Sequence, residues 1–355
     1  MSLHFYKTKV KSIEKLTPEC VGITLDMTGL NADLFQFKAG QYITLKKEIE
    51  GVEVRRSYSI YSSPTSNELC VGIKWVEGGV FSTYANKFLK EGDELFIMPP
   101  QGNFTLPQNL DSVKTIVFYC AGSGITPVMS IAQFVLENYD NIHVILYYGN
   151  RNTDLIIFKE KIEALKNLYV TRISVHYILS KDAPSSPLFY GRIDGEKCKT
   201  FEKYFTIDQV NSLYYLCGPS KMIFEVKDTL TSLGVDQRKI HFELFNTSGL
   251  NFEKKKSVQE QNLKSKIIMI LDGIKFDFSY NEADGNILDS ALNNGADLPY
   301  ACKGGVCSTC KAHCSEGKVD MLLNYSLEPE EIDAGYVLTC QSVPLTETVV
   351  INFDK

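Results

Sequence analysis

The sequence predicts a multi-domain fold with an antiparallel β-barrel, an α/β domain on a parallel sheet and a C-terminal β-grasp domain. Short β-rich runs without helical periodicity predict the first, and strand-like runs alternating with helical ones predict the second. A hairpin and a helix followed by a cysteine-rich loop predict the third. The expected limits are 1–107 for the barrel, 108–247 for the α/β domain, 248–265 for a linker and 266–355 for the β-grasp domain.

A length of 355 residues suits two or three domains of about 100 to 200 residues each. Apolar residues make up 44% and charged residues 23%, which is ordinary for globular protein. The opening MSLHFYKTKV has no apolar core behind a basic region, and no run of about 18 apolar residues occurs. The expectation is therefore a cytoplasmic protein, neither secreted nor membrane-spanning. In a reducing compartment, clustered cysteines point to metal binding or catalysis rather than to disulfides.

The formal charge of −6 is uneven. Residues 266–355 hold 6 Lys, no Arg and 14 Asp plus Glu, a balance of −8, against 31 basic and 29 acidic residues elsewhere. This acidity argues against a nucleic-acid partner and suits docking on a basic protein surface.

Through the barrel, QYITLKK, RRSYSIY, ELCVGIKWV and ELFIMPP read as strands set off by Gly, Pro and Asn turns. RSYS joins a cation, an aromatic face and hydroxyls. GGVFSTY sets Gly78 and Gly79 before Ser82 and a helix start, an anion-ready turn. Next come TIVFYC, a helix from about Pro127, HVILYYG, a helix through FKEKIEAL, RISVHYIL, LYYLCG, a helix through MIFEVKDTL, and HFELF. The first of these strands runs into AGSGITP, where Gly122 and Gly124 let a phosphate approach a helix N-terminus and Pro127 suits the first helical position. The final glycine of the dinucleotide fingerprint is replaced by Pro127. The second strand ends in YYGNR, without the acidic residue that holds a ribose 2′-hydroxyl. Arg151 suits a 2′-phosphate instead and favours NADPH, with NADH left open.

The polar segment from Asn246 to Lys266 reads as a tether. Beyond it, KIIMILDGIKFDFSY turns at Asp272-Gly273, a strong hairpin signal. NILDSALNNG then sets Ile287, Leu288, Ala291 and Leu292 on one helical face and stops at Gly295.

YACKGGVCSTCKAHC carries the metal chemistry. Cys302, Cys307 and Cys310 have the C-x4-C-x2-C spacing of plant-type [2Fe-2S] sites, and Cys340 supplies the distant fourth ligand. Gly304 and Gly305 permit backbone that residues with a Cβ resist, so N–H groups can face the sulfurs. A zinc site would use Cys302, Cys307, Cys310 and Cys314, but structural zinc sites usually bring two short pairs across a longer insert. Cys314 is then the spare thiol. A nicotinamide delivers two electrons as hydride, whereas such a cluster takes one at a time. A flavin bridges the two, and the barrel is a plausible seat for it.

RSYS, GGVFS, AGSGITP, YYGNR, CGP, FELF and the cysteine loop occur in the order seen in the ferredoxin-NADP reductase superfamily. Over nearly its whole length the chain resembles the members that carry a C-terminal plant-type ferredoxin domain, above all those serving phenylacetyl-CoA epoxygenase systems of phenylacetate catabolism. The resemblance implies an oxidoreductase with FAD, a [2Fe-2S] cluster and NADPH or NADH, which passes electrons to an oxygenase or hydroxylase partner. Arg56 would pair with the FAD pyrophosphate, to which Gly79, Val80 and Ser82 would donate. Tyr58 would lie along the flavin, Phe245 would shield it, and Ser59 would bond near its N5. Gly122, Gly124 and Thr126 would sit by the nicotinamide nucleotide, with Gly218 and Pro219 beside Cys217, which approaches the nicotinamide ring. Glu243 matches the family's acid near that point, so Ser59, Cys217 and Glu243 are the candidate catalytic set. Ser180-Lys181-Asp182 resembles a Ser-Arg-Glu segment that grips the 2′-phosphate, although Lys181 lacks the bidentate fork of Arg. The same parts would serve another oxygenase, hydroxylase or desaturase, or a redox-sensing protein. The five histidines show no ligand spacing and are assigned no role.

Overall fold

The computed structural model describes residues 4–183, 186–245 and 265–355, which form two compact units, one from residues between 6 and 245 and one built on residues 265–355. The expected tether lies outside the described residues except for Ser265 and Lys266.

In the first unit, β1 (Tyr6–Thr17), β2 (Cys20–Asp26), β3 (Tyr42–Ile49), β4 (Val52–Ser59), β5 (Leu69–Lys74) and β6 (Glu94–Ile97) form a sheet in the order β4-β3-β6-β1-β2-β5. A bridge from Ile60, just past β4, to Val71 joins the two edges into a barrel. Strand alternation sends Ile43 and Leu45, Val71 and Ile73, and Leu95 and Ile97 inward, all with no exposure. Burying each contributes about 1.5–3 kcal/mol. The short helix α1 (Ala32–Phe35) adds Phe35 to this core, and α2 (Val80–Lys87) adds Phe81 and Ala85.

The same unit continues through β7 (Thr115–Ala121), α3 (Ile125–Asn138), β8 (His143–Asn150), α4 (Lys159–Leu168), β9 (Ile173–Leu179), α5 (Gly195–Tyr204), β10 (Ser212–Cys217), α6 (Ser220–Ser232) and β11 (Ile240–Glu243). These strands form an all-parallel sheet in the order β11-β10-β7-β8-β9. Ile116, Phe118 and Cys120 pack with Val128, Ile131 and Val135 of α3 on one face. Tyr119 stacks on Tyr147 at 4.8 Å, and Tyr147 on Phe201 of α5 at 4.4 Å, on the other. The strand order reverses between β7 and β10, so the carboxyl ends of these two strands border the crevice where such sheets bind ligands.

Helix α3 begins at Ile125, two residues before the expected start, because a 3₁₀ turn over Gly122–Gly124 runs straight into it. Pro127 is tolerated there, since the first four N–H groups of a helix have no intrahelical acceptor.

In the second unit, β12 (Lys266–Leu271), β13 (Ile274–Ser279), α7 (Ile287–Asn293), β14 (Lys311–Glu316), β15 (Val319–Met321), α8 (Pro329–Asp333), β16 (Tyr336–Leu338), β17 (Ser342–Pro344) and β18 (Thr348–Asn352) follow in order. The main sheet runs β13-β12-β18-β14-β16, with β12 and β18 parallel, and β15 pairs with β17. Asp272 and Gly273 both have left-handed backbone, as the expected hairpin turn requires, and donate N–H bonds to the Asp354 carboxylate. Asn286 caps α7 by accepting from Asp289 N–H, and Ile287, Leu288 and Ala291 pack beneath the sheet with no exposure.

Candidate active-site crevice and cysteine cluster

The crevice at the strand reversal is built from close backbone. A Cβ on Gly124 would run into the Cys217 carbonyl oxygen, and one on Gly218 would lie 2.8 Å from Met222 Cε. Backbone blocks any Cβ at Gly124, and at Gly218 a φ of +156° is one that residues with a Cβ rarely adopt. Pro219 then caps α6. Thr126 is buried, its hydroxyl donating to Ser123 O at 3.0 Å and its methyl facing Gly72 of β5. The α3 start thus packs against the barrel.

Cys217 ends β10 and is register partner to Glu243, which ends β11. From the barrel, the buried Ser59 hydroxyl donates to Glu243 Oε2 at 3.3 Å. Burial pushes the Glu243 carboxyl up to about 8, the Ser59 bond offsetting part of the rise. The Cys217 thiol is raised well above its usual range, first by burial and then by Glu243. The structure therefore joins Ser59, Cys217 and Glu243, which lie far apart in sequence.

Tyr58 precedes Ser59 and lies 5.6 Å from the Phe81 ring, which ties β4 to α2. Arg56, two residues back on the same face, is exposed. Gly79 caps α2, and its own N–H donates to Val76 O at 3.0 Å. The Ser82 hydroxyl donates back to Gly79 O at 3.2 Å. The N–H groups of Val80, Phe81 and Ser82 are then the donors at the helix start, with no acceptor inside the helix. Phe81 extends the sequence-based set. Three such donors suit a pyrophosphate. Phe245, just past the end of β11, is 37% exposed.

Ser180 and Lys181 lie beside Asn150 and Arg151, each donating its N–H to the opposite carbonyl (3.1 and 2.8 Å). Asp182 accepts from Thr153 N and Oγ1. Lys181 is exposed. Arg151 does not stand alone: its Nη2 donates to both carboxylate oxygens of Glu19, at 2.9 and 2.7 Å. Glu19 also lies 3.6 Å from Lys74 Nζ. No local spacing could have revealed these two residues.

In the second unit, Cys302 pairs with Cys307 and Cys310 with Cys340. The Cys307 thiol donates to Cys302, which is drawn down to about 6, with help from the N–H groups of Gly304, Val306 and Cys307. Cys310 likewise donates to Cys340, which is also lowered. Four thiols with N–H groups turned toward their sulfurs, and no histidine or carboxylate among them, suit a [2Fe-2S] cluster, whose two irons each need two protein ligands. Cys314 stands outside the set on β14, with its Sγ 3.5 Å from Glu316 O. The loop turns differently from expectation: Gly305 is left-handed, Gly304 is not, and Lys303 and Ser308 take the other left-handed positions.

Residues 7–106 match the oxidoreductase FAD-binding domain family, 118–228 the oxidoreductase NAD-binding domain and 269–345 the 2Fe-2S iron-sulfur cluster binding domain. The chain is 39% identical over 350 residues to one of the subunits of 1,2-phenylacetyl-CoA epoxidase from Escherichia coli (strain K12), covering 99% of this chain and 98% of that one. It is 32% identical to the ferredoxin reductase component of 3-ketosteroid-9-alpha-monooxygenase from Rhodococcus rhodochrous, covering 90% and 89%. Among solved structures, phthalate dioxygenase reductase shares the fold, with a TM-score of 0.61 at 21% identity over 98% of both chains.

Proposed function

The chain belongs to the ferredoxin-NADP reductase superfamily, among members that add a C-terminal [2Fe-2S] domain, and from that premise we propose that it carries electrons from NAD(P)H to an oxygenase of the phenylacetyl-CoA epoxygenase type. The observation that carries this reading is the meeting of Ser59, Cys217 and Glu243 at the strand-reversal crevice. When bound, FAD turns a two-electron hydride into single electrons, and the cluster carries them one at a time.

Arg56 and the N–H groups of Val80, Phe81 and Ser82 hold the FAD pyrophosphate, with Gly79 keeping the approach narrow. Tyr58 and Phe245 supply aromatic surface for the flavin. Gly122, Gly124, Gly218 and Pro219 line the nucleotide's path with backbone that admits no Cβ at its closest points. Thr126 braces the α3 start, and Cys217 sets its buried sulfur beside the reacting end. Glu243, raised to about 8, holds a proton on its carboxyl at neutral pH. A neutral acid there places no negative charge against an incoming hydride. Arg151, Ser180 and Lys181 border the adenosine end.

Cys302, Cys307, Cys310 and Cys340 ligate the cluster. The surplus of acid in residues 266–355 presents a negative surface to a basic patch on the oxygenase. Among the described residues no helix is long and apolar enough to cross a membrane, and the proposed site of action is the cytoplasm.

Reconstitution tests this reading. The purified protein, its FAD and cluster in place, should support NAD(P)H-dependent oxygenation of phenylacetyl-CoA by the matching oxygenase. Dye reduction without any oxygenation would confine the reading to a reductase of another acceptor.

A further inference from the structure

We propose that Glu19 sets the preference between NADPH and NADH by competing with the nucleotide's 2′-phosphate for Arg151. The inference rests on the reading of the Gly122–Gly124 turn as the nucleotide site.

Glu19 lies in the tight turn between β1 and β2, on the barrel rather than on the nucleotide-binding sheet. Its backbone is pinned, since its N–H donates to Thr17 Oγ1 at 3.2 Å and its carbonyl accepts from Trp75 N–H at 2.7 Å. Cys20 and Lys74 are cross-strand partners, and this register brings the Lys74 ammonium beside the Glu19 carboxylate. That ammonium also overhangs the phosphate turn, 3.9 Å from where a Cβ on Gly122 would stand. The carboxylate is therefore held next to the turn, not on a loose loop.

Arg151 follows β8, whose end is register partner to the end of β7. An arginine there suits a 2′-phosphate. Yet its guanidinium is engaged through Nη2 with both oxygens of Glu19, and that carboxylate also draws on Lys74. Arg151 and Lys74 against Glu19 leave a net charge of +1 where two cations alone would give +2. A 2′-phosphate must either displace Glu19 or bind with a carboxylate beside it. NADH, with only a hydroxyl at that position, meets no such penalty. The pair is half exposed on the arginine side, so its two members can separate at small cost.

The test compares wild-type holoprotein with Glu19→Gln, reading kcat and KM for NADPH and NADH with ferricyanide as acceptor. The expected result is a rise of about three- to tenfold in the ratio of kcat/KM for NADPH over NADH. The rise should sit in KM for NADPH and shrink as ionic strength increases. Inhibition by 2′-phospho-AMP should tighten by a similar factor relative to inhibition by AMP, and in an Arg151→Gln background the Glu19 effect should shrink to what Lys74 and direct repulsion of the phosphate leave. An unchanged ratio, or equal gains for both nucleotides, overturns the role of Glu19. Wild-type protein reduced by neither nucleotide would instead overturn the reading of the turn itself.

Discussion

Cys217 and Glu243 are register partners at the carboxyl ends of β10 and β11, and the Ser59 hydroxyl reaches Glu243 from the barrel. A thiol and an acid, both shifted upward by burial, thus meet where the parallel sheet faces the barrel.

The pH dependence of nucleotide oxidation follows from Glu243. Its folded value, about 8, exceeds the unfolded value of about 4.3. The native state then holds more protons than the unfolded state between these limits, so the residue's contribution to stability is present at low pH and lost as pH rises through 8. Turnover that requires the protonated acid should fall over the same upper limb. Glu243→Gln should keep turnover within about tenfold of wild type and flatten that limb, because it remains a neutral hydrogen-bonding group. Initial rates of ferricyanide reduction from pH 6 to 9 check this, and an unaltered limb would assign the titration elsewhere.

Gly124→Ala would drive a methyl into the Cys217 carbonyl. Overpacking against backbone costs about 1–3 kcal/mol. Urea unfolding should show that loss, and NAD(P)H-dependent reduction should suffer more than dithionite reduction, which needs no nucleotide site.

Two cysteine variants separate ligand from bystander. Cys340→Ser should lose most cluster iron and sulfide while NAD(P)H still reduces ferricyanide through the flavin. Cys314→Ser should retain both metal and partner turnover. Iron and acid-labile sulfide assays on the pair decide it, and the opposite pattern would favour a site that includes Cys314.

The acidic surplus of residues 266–355 predicts that electron delivery to a protein acceptor slows as salt rises, whereas dye reduction changes little. Stopped-flow rates over a range of ionic strength measure this directly.

Local signals in the chain were the most legible. Asp272-Gly273 announced its turn, and the cysteine spacing announced its loop, because both are short-range requirements of backbone geometry. Helix α5 was not foreseen. Its buried residues, Cys198, Phe201 and Glu202, are interleaved with lysines and include a carboxylate that accepts from Tyr119, Tyr214 and Gln209. The cysteine loop also spends its left-handed positions on Lys303 and Ser308 while Gly304 stays outside that region, a choice that composition does not encode. Arg151 follows β8, where the sequence suggested a ligand for a 2′-phosphate, but its partner Glu19 lies 132 residues away and becomes visible only once the barrel packs against the sheet.

The most direct test of the electron path is the visible spectrum of the purified protein under anaerobic conditions, recorded before and after addition of NADPH and then NADH. The expected result is flavin bands overlaid on cluster absorption, both bleached rapidly by at least one nucleotide. A colourless protein that contains zinc, or colour that neither nucleotide bleaches, would contradict that path.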